Sequence, residues 1–356
     1  MRQSATTLGK LLWGFSLAPL SVLISVLVFA SPVPLSAQFN PLAPGALTTF
    51  EANVSPELPG PQEQTVIDLL SSSLDLNRAR ISWSEDGKIQ TEGVGLTRFS
   101  FTTKGLGSAT SIVIRVSSAG VETTKELTIR PGSVDLIWES DGYTPAFYRG
   151  KSPTTPGSNL TFVAMPHLRS SSTGADIASA NVVFRWSKNG TVLGSLSGTG
   201  KNVLRLTAPV TGSMTVRVEA SSQDESLKAT SEIQVGVESP RILFYEDDPV
   251  LGVRFERAVS NSLILSKHEE RLVAIPFGFS ARTRGSEDLL YQWKVGNVPL
   301  ETKAGEKDAI VISGGANSGT AAISLTIDHA VQFMQNAVRA LTATAEGGSE
   351  ANPFSL

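Results

Sequence analysis

The sequence predicts an all-β protein built from three tandem antiparallel β-sandwich domains. Short stretches of alternating apolar and polar residues recur along residues 46–350, with Gly, Pro, Asn and Asp between them. A block centred on tryptophan occurs three times at a spacing of about a hundred residues, which is the length of one domain. No segment after residue 38 sustains the apolar period of an amphipathic helix. These three observations together indicate tandem sandwiches.

Each tryptophan block has the pattern of a strand that ends in a tight hairpin. The blocks are residues 79–87, 182–190 and 289–297. They end in Asp-Gly, Asn-Gly or Gly-Asn pairs, which are the strongest local signals for a hairpin turn. Trp83, Trp186 and Trp293 occupy the same place in each block, so we interpret them as core residues and not as ligand-stacking aromatics.

Further alternating stretches follow each tryptophan block and supply the remaining strands. They are residues 98–101, 111–116 and 125–129, then 203–206, 214–220 and 231–235, then 309–312, 321–327 and 338–344. In the second group Met214, Val216 and Val218 point to one face of the predicted strand. Thr215 and Arg217 point to the other face, as expected for a strand with one buried side.

A second block occurs near the start of the second and third units. Residues 138–141 (Trp-Glu-Ser-Asp) match residues 245–248 (Tyr-Glu-Asp-Asp) without a gap, and residues 163–166 match residues 273–276. Two blocks in the same order indicate a duplicated domain. The first unit keeps the tryptophan block and lacks this opening.

Joints that contain proline, at residues 130–132 and 238–240, divide the chain. The predicted parts are a signal peptide or anchor at 1–37, a spacer at 38–45, domain 1 at 46–132, domain 2 at 133–238, domain 3 at 239–350 and a tail at 351–356. Short linkers with proline leave little freedom between neighbouring domains. We therefore expect a semi-rigid rod.

The N-terminal segment predicts export through a hydrophobic helix. Arg2 and Lys10 precede residues 11–30, which are free of charge, and small residues lead to a plausible cleavage point after Ala37. The apolar run is also long enough for an uncleaved membrane anchor. Both alternatives place the domains outside the cytoplasm, because the positive flank stays inside. The predicted location is extracytoplasmic, either secreted or anchored by this segment.

Composition excludes several classes of function. The sequence has 30 Lys and Arg residues and 33 Asp and Glu residues, so it has no excess of positive charge for nucleic-acid binding. The absence of cysteine removes disulfides and thiolate metal sites. His167, His268 and His329 form no metal-binding motif and are interpreted as surface residues. No nucleophile motif accompanies them, so no catalytic residue and no enzyme activity are predicted.

Acidic residues near the joints raise a hypothesis of calcium binding. The candidates are Glu139, Asp141, Glu246, Asp247 and Asp248, with Glu85 and Asp86 on a neighbouring hairpin. Calcium needs six to eight oxygen ligands, which two domains could supply together. Salt links or solvated turns explain the same residues and are favoured, because no dense Asp-x-Asp run is present. Apart from this calcium hypothesis no cofactor is predicted.

The tryptophan strand followed by a hairpin resembles immunoglobulin-like and PKD-like sandwich modules, although the paired cysteines of antibody domains are missing. Residues 76–83 (LNRARISW), 135–138 (DLIW), 144–151 (TPAFYRGK) and 243–246 (LFYE) also resemble a group of uncharacterised exported repeat proteins of candidate-phyla bacteria. This second resemblance covers about residues 45 to 346. It implies an extracytoplasmic envelope protein and supplies no catalytic residue.

The leading functional hypothesis is a non-enzymatic surface or envelope protein that presents immunoglobulin-like domains for adhesion or protein–protein interaction. Its partner would be an envelope or surface protein or polymer, with membrane contact through an uncleaved N-terminal segment. The loops 170–180 and 256–269 are the first candidates for the contact surface. The alternative is a structural or accessory subunit of an extracellular appendage or secretion apparatus, whose chains pair edge to edge. An exported hydrolase is the third hypothesis.

Overall fold

The computed structural model describes residues 49–170, 172–265, 269–303, 305–313 and 318–345. These residues form 24 strands and two short 3-10 helices, so the all-β prediction is confirmed. None of the helices in these ranges is long and apolar enough to cross a bilayer. The predicted export segment, the spacer and the C-terminal tail lie outside the described residues.

Domain 1 consists of two antiparallel sheets. Its strands are β1 (Glu51–Ser55), β2 (Gln64–Leu70), β3 (Arg80–Glu85), β4 (Lys88–Val94), β5 (Arg98–Thr102), β6 (Thr110–Ser118) and β7 (Val121–Ile129). The first sheet has the order β1-β2-β5, and the second has the order β4-β3-β6-β7. Apolar side chains of both sheets, including Ile67, Ile81 and Trp83, meet in one buried cluster between them.

Domain 2 repeats this plan. Its strands are β8 (Ser133–Ser140), β9 (Asn159–His167), β10 (Val183–Lys188), β11 (Thr191–Val192), β12 (Gly198–Thr199), β13 (Val203–Thr207), β14 (Ser213–Ser221) and β15 (Lys228–Gly236). The first sheet has the order β8-β9-β13, and the second has the order β11-β10-β14-β15, with β12 beside β10. The 3-10 helices, Ser179–Asn181 and Gly194–Leu196, flank β10 and β11. Leu160, Phe162 and Trp186 are central in the buried cluster.

Domain 3 has the same two layers with one additional feature. Its strands are β16 (Arg241–Asp248), β17 (Gly252–Val253), β18 (Ser262–Leu265), β19 (Glu269–Phe277), β20 (Leu289–Val295), β21 (Val298–Leu300), β22 (Ala309–Ser313), β23 (Gly319–His329) and β24 (Asn336–Ala345). The first sheet has the order β17-β16-β19-β22, and the second has the order β18-β24-β23-β20-β21. Strands β18 and β24 are parallel, because the chain crosses from the first sheet to the edge of the second. The Arg339 guanidinium donates to the carbonyl of Val259 at 2.8 Å beside this crossing.

The three repeated tryptophans lie on β3, β10 and β20 and are fully or almost fully buried. Each indole Nε1 donates to a backbone carbonyl in the segment that precedes the last strand of the first sheet. The acceptors are Leu96 at 2.8 Å, Lys201 at 2.8 Å and Lys307 at 3.0 Å. A buried indole needs a hydrogen-bond acceptor. Each tryptophan therefore fills the core and also binds one connecting segment through this hydrogen bond.

The second repeated block is shifted by one residue from its gapless sequence match. Ile137 pairs with Val163, and Tyr245 pairs with Val273, so Ile137 and Tyr245 are structurally equivalent. Trp138 packs against the core of domain 2, whereas Tyr245 lies on the opposite face of its sheet, away from the main core. A shift of one residue reverses the facing of every side chain in a strand. The matched aromatic residues therefore have different roles.

Candidate functional site

The acidic residues near the joints bind protein groups. The Asp141 carboxylate accepts from the backbone N–H of Asn159 at 3.0 Å and from the Ser280 hydroxyl at 2.9 Å. Asp247 pairs with Arg271 at 2.9 Å, and the carboxylate of Asp248 accepts from the backbone N–H of Val250 at 2.9 Å. The Asp141 contact with Ser280 links domain 2 to domain 3. The pair of Asp247 and Arg271 joins neighbouring strands, and the bond to Asp248 stabilises a tight turn.

The remaining candidates lie apart from these. Glu139 is exposed on the first sheet of domain 2, and Glu246 is half-buried. Glu85 is half-buried on β3, and Asp86 pairs with Lys104 at 2.7 Å. Within the residues that the structure describes, no group of three or more His, Asp or Glu side chains could hold a metal ion. Calcium binding stays a prediction.

The structure corrects the interpretation of His329 as a surface residue. Its ring is buried in the turn between β23 and β24. Nδ1 accepts from the backbone N–H groups of Val331 at 3.2 Å and Gln332 at 3.0 Å, so the hydrogen is on Nε2, which donates to the carbonyl of Ser280 at 2.8 Å. His167 is exposed and lies 3.1 Å from Asp135, and His268 is outside the described residues.

Three apolar side chains project from the same turn, and we call them the domain 3 tip: Val331, Phe333 and Met334. Phe333 is 81% exposed. Beneath the tip, the fully buried Gln335 donates to the carbonyl of Pro156 at 2.9 Å. The tip is therefore held on a hydrogen-bonded base that includes a residue of domain 2.

Residues 141–158, between β8 and β9, extend from domain 2 onto domain 3, and we call them the covering segment. The backbone N–H of Tyr143 donates to the carbonyl of Phe279 at 2.6 Å, and Gly278 N–H donates to the carbonyl of Tyr143 at 2.8 Å. The hydroxyl of Thr155 donates to the carbonyl of Gly278 at 2.8 Å. These bonds attach the covering segment to the end of β19.

The covering segment buries the outer face of the first sheet of domain 3, which is the face turned away from the main core. The Phe147 ring lies 4.5 Å from that of Phe255 and 5.8 Å from that of Tyr245. A row of three residues crosses this face, Tyr245, Val273 and Ala309, and each is at most 5% exposed. Burial also raises the pKa of the Tyr245 phenol. This row and its neighbours form a second small core.

The equivalent row in domain 2 is apolar and is half-buried or exposed. Ile137, Val163 and Val203 cross β8, β9 and β13 side by side on the outer face, and Met165 lies in the next row. Ile137 is 49% exposed, Met165 is 40% exposed and Val203 is 39% exposed. No segment among the described residues covers this row as the covering segment covers domain 3.

The corresponding row on the outer face of domain 1 is polar. Its corresponding strands carry Asn53, Asp68 and Arg98 in one row. The Arg98 guanidinium contacts the Asp68 carboxylate at 2.7 Å and 3.0 Å, and this hydrogen bonding lowers the pKa of Asp68. Exposed apolar rows are therefore not a general property of these domains.

The loops favoured by the sequence present mainly polar groups where the structure describes them. In the loop 170–180, Arg169 and Asp176 form an ion pair at 3.0 Å, and Ile177 packs against the core. The loop 256–269 includes residues outside the described ranges. The alternating pattern of the strands does not reveal the domain 3 tip, whose only sequence signal is three apolar residues in the hairpin turn 330–335.

Comparisons with known proteins found similarity only among solved structures. No protein-family model matches the chain, and no curated protein matches it. The fibronectin(III)-like modules of CbhA from Clostridium thermocellum match at 11% identity and a TM-score of 0.26, over 53% of this chain and 94% of that one. Three N-terminal domains of the outer capsid protein Hoc of bacteriophage RB49 match at 10% identity and a TM-score of 0.24, over 84% of this chain and 98% of that one.

Sidekick-1 immunoglobulin domains 1–4 match at 13% identity and a TM-score of 0.19, over 81% of this chain and 70% of that one. The class follows from the strand arrangement of the chain itself, with a three- or four-stranded first sheet packed on a larger second sheet. The chain is a tandem immunoglobulin-like β-sandwich repeat protein.

Proposed function

We propose that the chain is a non-enzymatic surface or envelope protein that presents its immunoglobulin-like domains for adhesion or another protein–protein interaction. The observation that carries this proposal is the domain 3 tip, where Val331, Phe333 and Met334 are exposed above buried His329 and Gln335. Loops at the ends of rigid sandwiches are common binding sites. Exposed Phe and Met side chains are typical of the centres of protein interfaces.

The proposed location is extracytoplasmic, with residues 1–37 as a signal peptide or membrane anchor. The charge-free run 11–30 behind Arg2 and Lys10 supports it. The proposed partner is an envelope or surface protein or polymer.

Binding of the full chain to envelope fragments of the cells that produce it tests the proposal. Phe333→Ser removes the most exposed aromatic of the tip, and we expect binding at least about tenfold weaker. Val121→Ser on β7 of domain 1 is the control, because Val121 is 47% exposed and far from the tip in sequence. Equal binding by the Phe333 variant and the unaltered chain would contradict a contact through the tip.

The second candidate is a structural or accessory subunit of an extracellular appendage or secretion apparatus. The exposed apolar residues Ile137 and Val203 support it, because such an assembly needs contacts between chains. Concentration-dependent light scattering that continues beyond dimers would favour this candidate over an adhesive protein that does not polymerise.

A further inference from the structure

The outer face of domain 2 has an apolar centre across all three strands of the first sheet. Val163 on β9 has Ile137 of β8 on one side and Val203 of β13 on the other. Ile137 and Val203 remain about half exposed, at 49% and 39%. The equivalent positions of domain 3 are buried by the covering segment. The residue types of domain 2 thus suit a covered surface.

Opposite charges flank this apolar row at the two edges of the same sheet. In the adjacent row, Glu139 on β8 and Arg205 on β13 lie on either side of Thr161. Both charged residues are exposed. Neither has a salt-bridge partner among the described residues. The face therefore has a negative side chain, Glu139, at one edge and a positive side chain, Arg205, at the other edge of the same row.

Domain 1 does not supply a cover from the segment that corresponds in position to the covering segment. Residues 56–63, between β1 and β2, are bonded to their own domain. The Thr103 hydroxyl donates to the carbonyl of Gly60 at 2.6 Å, and Gln62 N–H donates to the carbonyl of Lys104 at 3.2 Å. This segment is also much shorter than residues 141–158. Residues 56–63 therefore leave the outer face of domain 2 uncovered.

We propose that the outer face of domain 2 binds the same face of a second copy of this chain. A twofold axis parallel to the strands places Ile137 of each copy opposite Val203 of the other. The same operation places Glu139 of each copy opposite Arg205 of the other, because these residues share one row. The face is therefore self-complementary in apolar groups and in charge, as a twofold interface requires.

The size of the face sets the strength of the contact. Three strands about 4.8 Å apart and three outward residues on each strand give an area of about 14 Å by 20 Å per copy. Two such faces bury about 560 Å² in total, well below the roughly 1,200 Å² at which stable specific interfaces begin. The structure therefore assigns a weak, reversible dimer. This self-association goes beyond the proposed function and does not require Phe333.

Sedimentation of the full chain over a range of concentrations tests the proposal. Ile137→Asp places a carboxylate in the centre of the face, and we expect the dimer dissociation constant to rise about a hundredfold. Val121→Asp is the matched control, because Val121 is equally exposed on domain 1. Any association through residues 11–30 is common to both variants and does not respond to Ile137.

Charge reversal tests the twofold arrangement. E139R alone and R205E alone each place like charges opposite one another at both edges, and we expect about tenfold weaker dimers. The double variant E139R/R205E restores both pairs. An equimolar mixture of the two single variants also restores both pairs in a mixed dimer, as a twofold arrangement predicts.

Four outcomes overturn the proposal. The first is a full chain that stays monomeric at millimolar concentration. The second is a dimer that is unaffected by Ile137→Asp, and the third is failure of the mixture to restore association. The fourth is a monomer whose binding to anionic lipid vesicles depends on Ile137, which would assign the face to a membrane. If the Phe333 variant loses envelope binding and still forms the dimer, the tip and the outer face of domain 2 act independently.

Discussion

The outer faces of domains 2 and 3 carry equivalent apolar rows in opposite environments. In domain 3 the row of Tyr245, Val273 and Ala309 is buried under the covering segment. In domain 2 the row of Ile137, Val163 and Val203 is half-buried or exposed within the described part of the chain. A strand that is buried on both faces loses its polar alternation. Residues 272–277 of β19 are such a run, whereas β9 still alternates.

This difference shows that domain 2 completes the packing of domain 3, whereas residues 56–63 of domain 1 do not do the same for domain 2. Domain 3 obtains part of its apolar burial from a segment that belongs to domain 2. Domain 2 obtains no equivalent contribution from residues 56–63. We therefore expect the stability of domain 3 to depend on its neighbour more strongly than the stability of domain 2 does.

The largest expected effect comes from truncating the outer faces of domains 3 and 2 at equivalent positions, one row beyond Val273 and Val163. Ile275→Ala removes a fully buried side chain of domain 3, and we expect unfolding to become easier by about 2–4 kcal/mol. Met165→Ala in domain 2 removes a side chain that is 40% exposed, and we expect a loss below about 1 kcal/mol. Urea unfolding followed by tryptophan fluorescence measures both. Equal losses would show that the two faces are covered to the same extent.

A smaller effect is expected at the point where the covering segment meets β19. Gly278 has φ +86°, and a Cβ there would lie 2.9 Å from Cγ of Pro153. Gly278→Ala should destabilise the chain by about 1–3 kcal/mol and expose the covering segment to proteolysis. Gly252→Ala is the matched control, since φ is +75° and no atom lies within 4 Å of its Cβ position. If both variants lose the same stability, backbone strain alone explains the result.

Partial uncovering of the row in domain 3 should have an intermediate to small effect. Phe147→Ser removes the ring that contacts Phe255 and Tyr245, and we expect a loss of about 1–2 kcal/mol because Phe147 is itself partly exposed. Phe333→Ser removes an equally large ring from the exposed tip and should leave the unfolding midpoint unchanged. A midpoint that shifts equally in both variants would contradict a covering role for Phe147.

Patterns within single strands predicted much of the architecture. The tryptophan blocks and the alternating stretches correspond to observed strands because one face of each strand is buried, which gives a period of two. The covering segment could not be predicted from the sequence. Residues 143–148 have no periodicity, and the surface that they bury belongs to another domain. A gapless sequence match also could not predict that Trp138 and Tyr245 lie on opposite faces of their sheets. Only strand pairing fixes which residues face the core.

The candidate sites were harder to predict than the fold. The sequence makes Asp141 a candidate calcium ligand, whereas in the structure its partners Asn159 and Ser280 come from two different domains. The burial of the outer rows of domains 2 and 3 also depends on contacts between domains. Ile137 and Tyr245 are both large and apolar at equivalent positions, and only the presence of a covering segment separates a surface residue from a core residue.

The smallest expected effect concerns domain 1, whose corresponding outer row is polar. Arg98 lowers the pKa of Asp68 from its usual 3.8 by hydrogen bonding. The pair therefore stabilises domain 1 above pH 3.8, and this contribution is lost as the pH falls through the lowered pKa. Asp68→Asn should reduce the loss of thermal stability between pH 6 and pH 3 by a small amount, because both side chains are exposed. The apolar row of domain 3 contributes no such dependence, so Ile275→Ala should shift the melting temperature equally at both pH values. If Asp68→Asn leaves the pH dependence of domain 1 unchanged, the ion pair contributes nothing to its outer face.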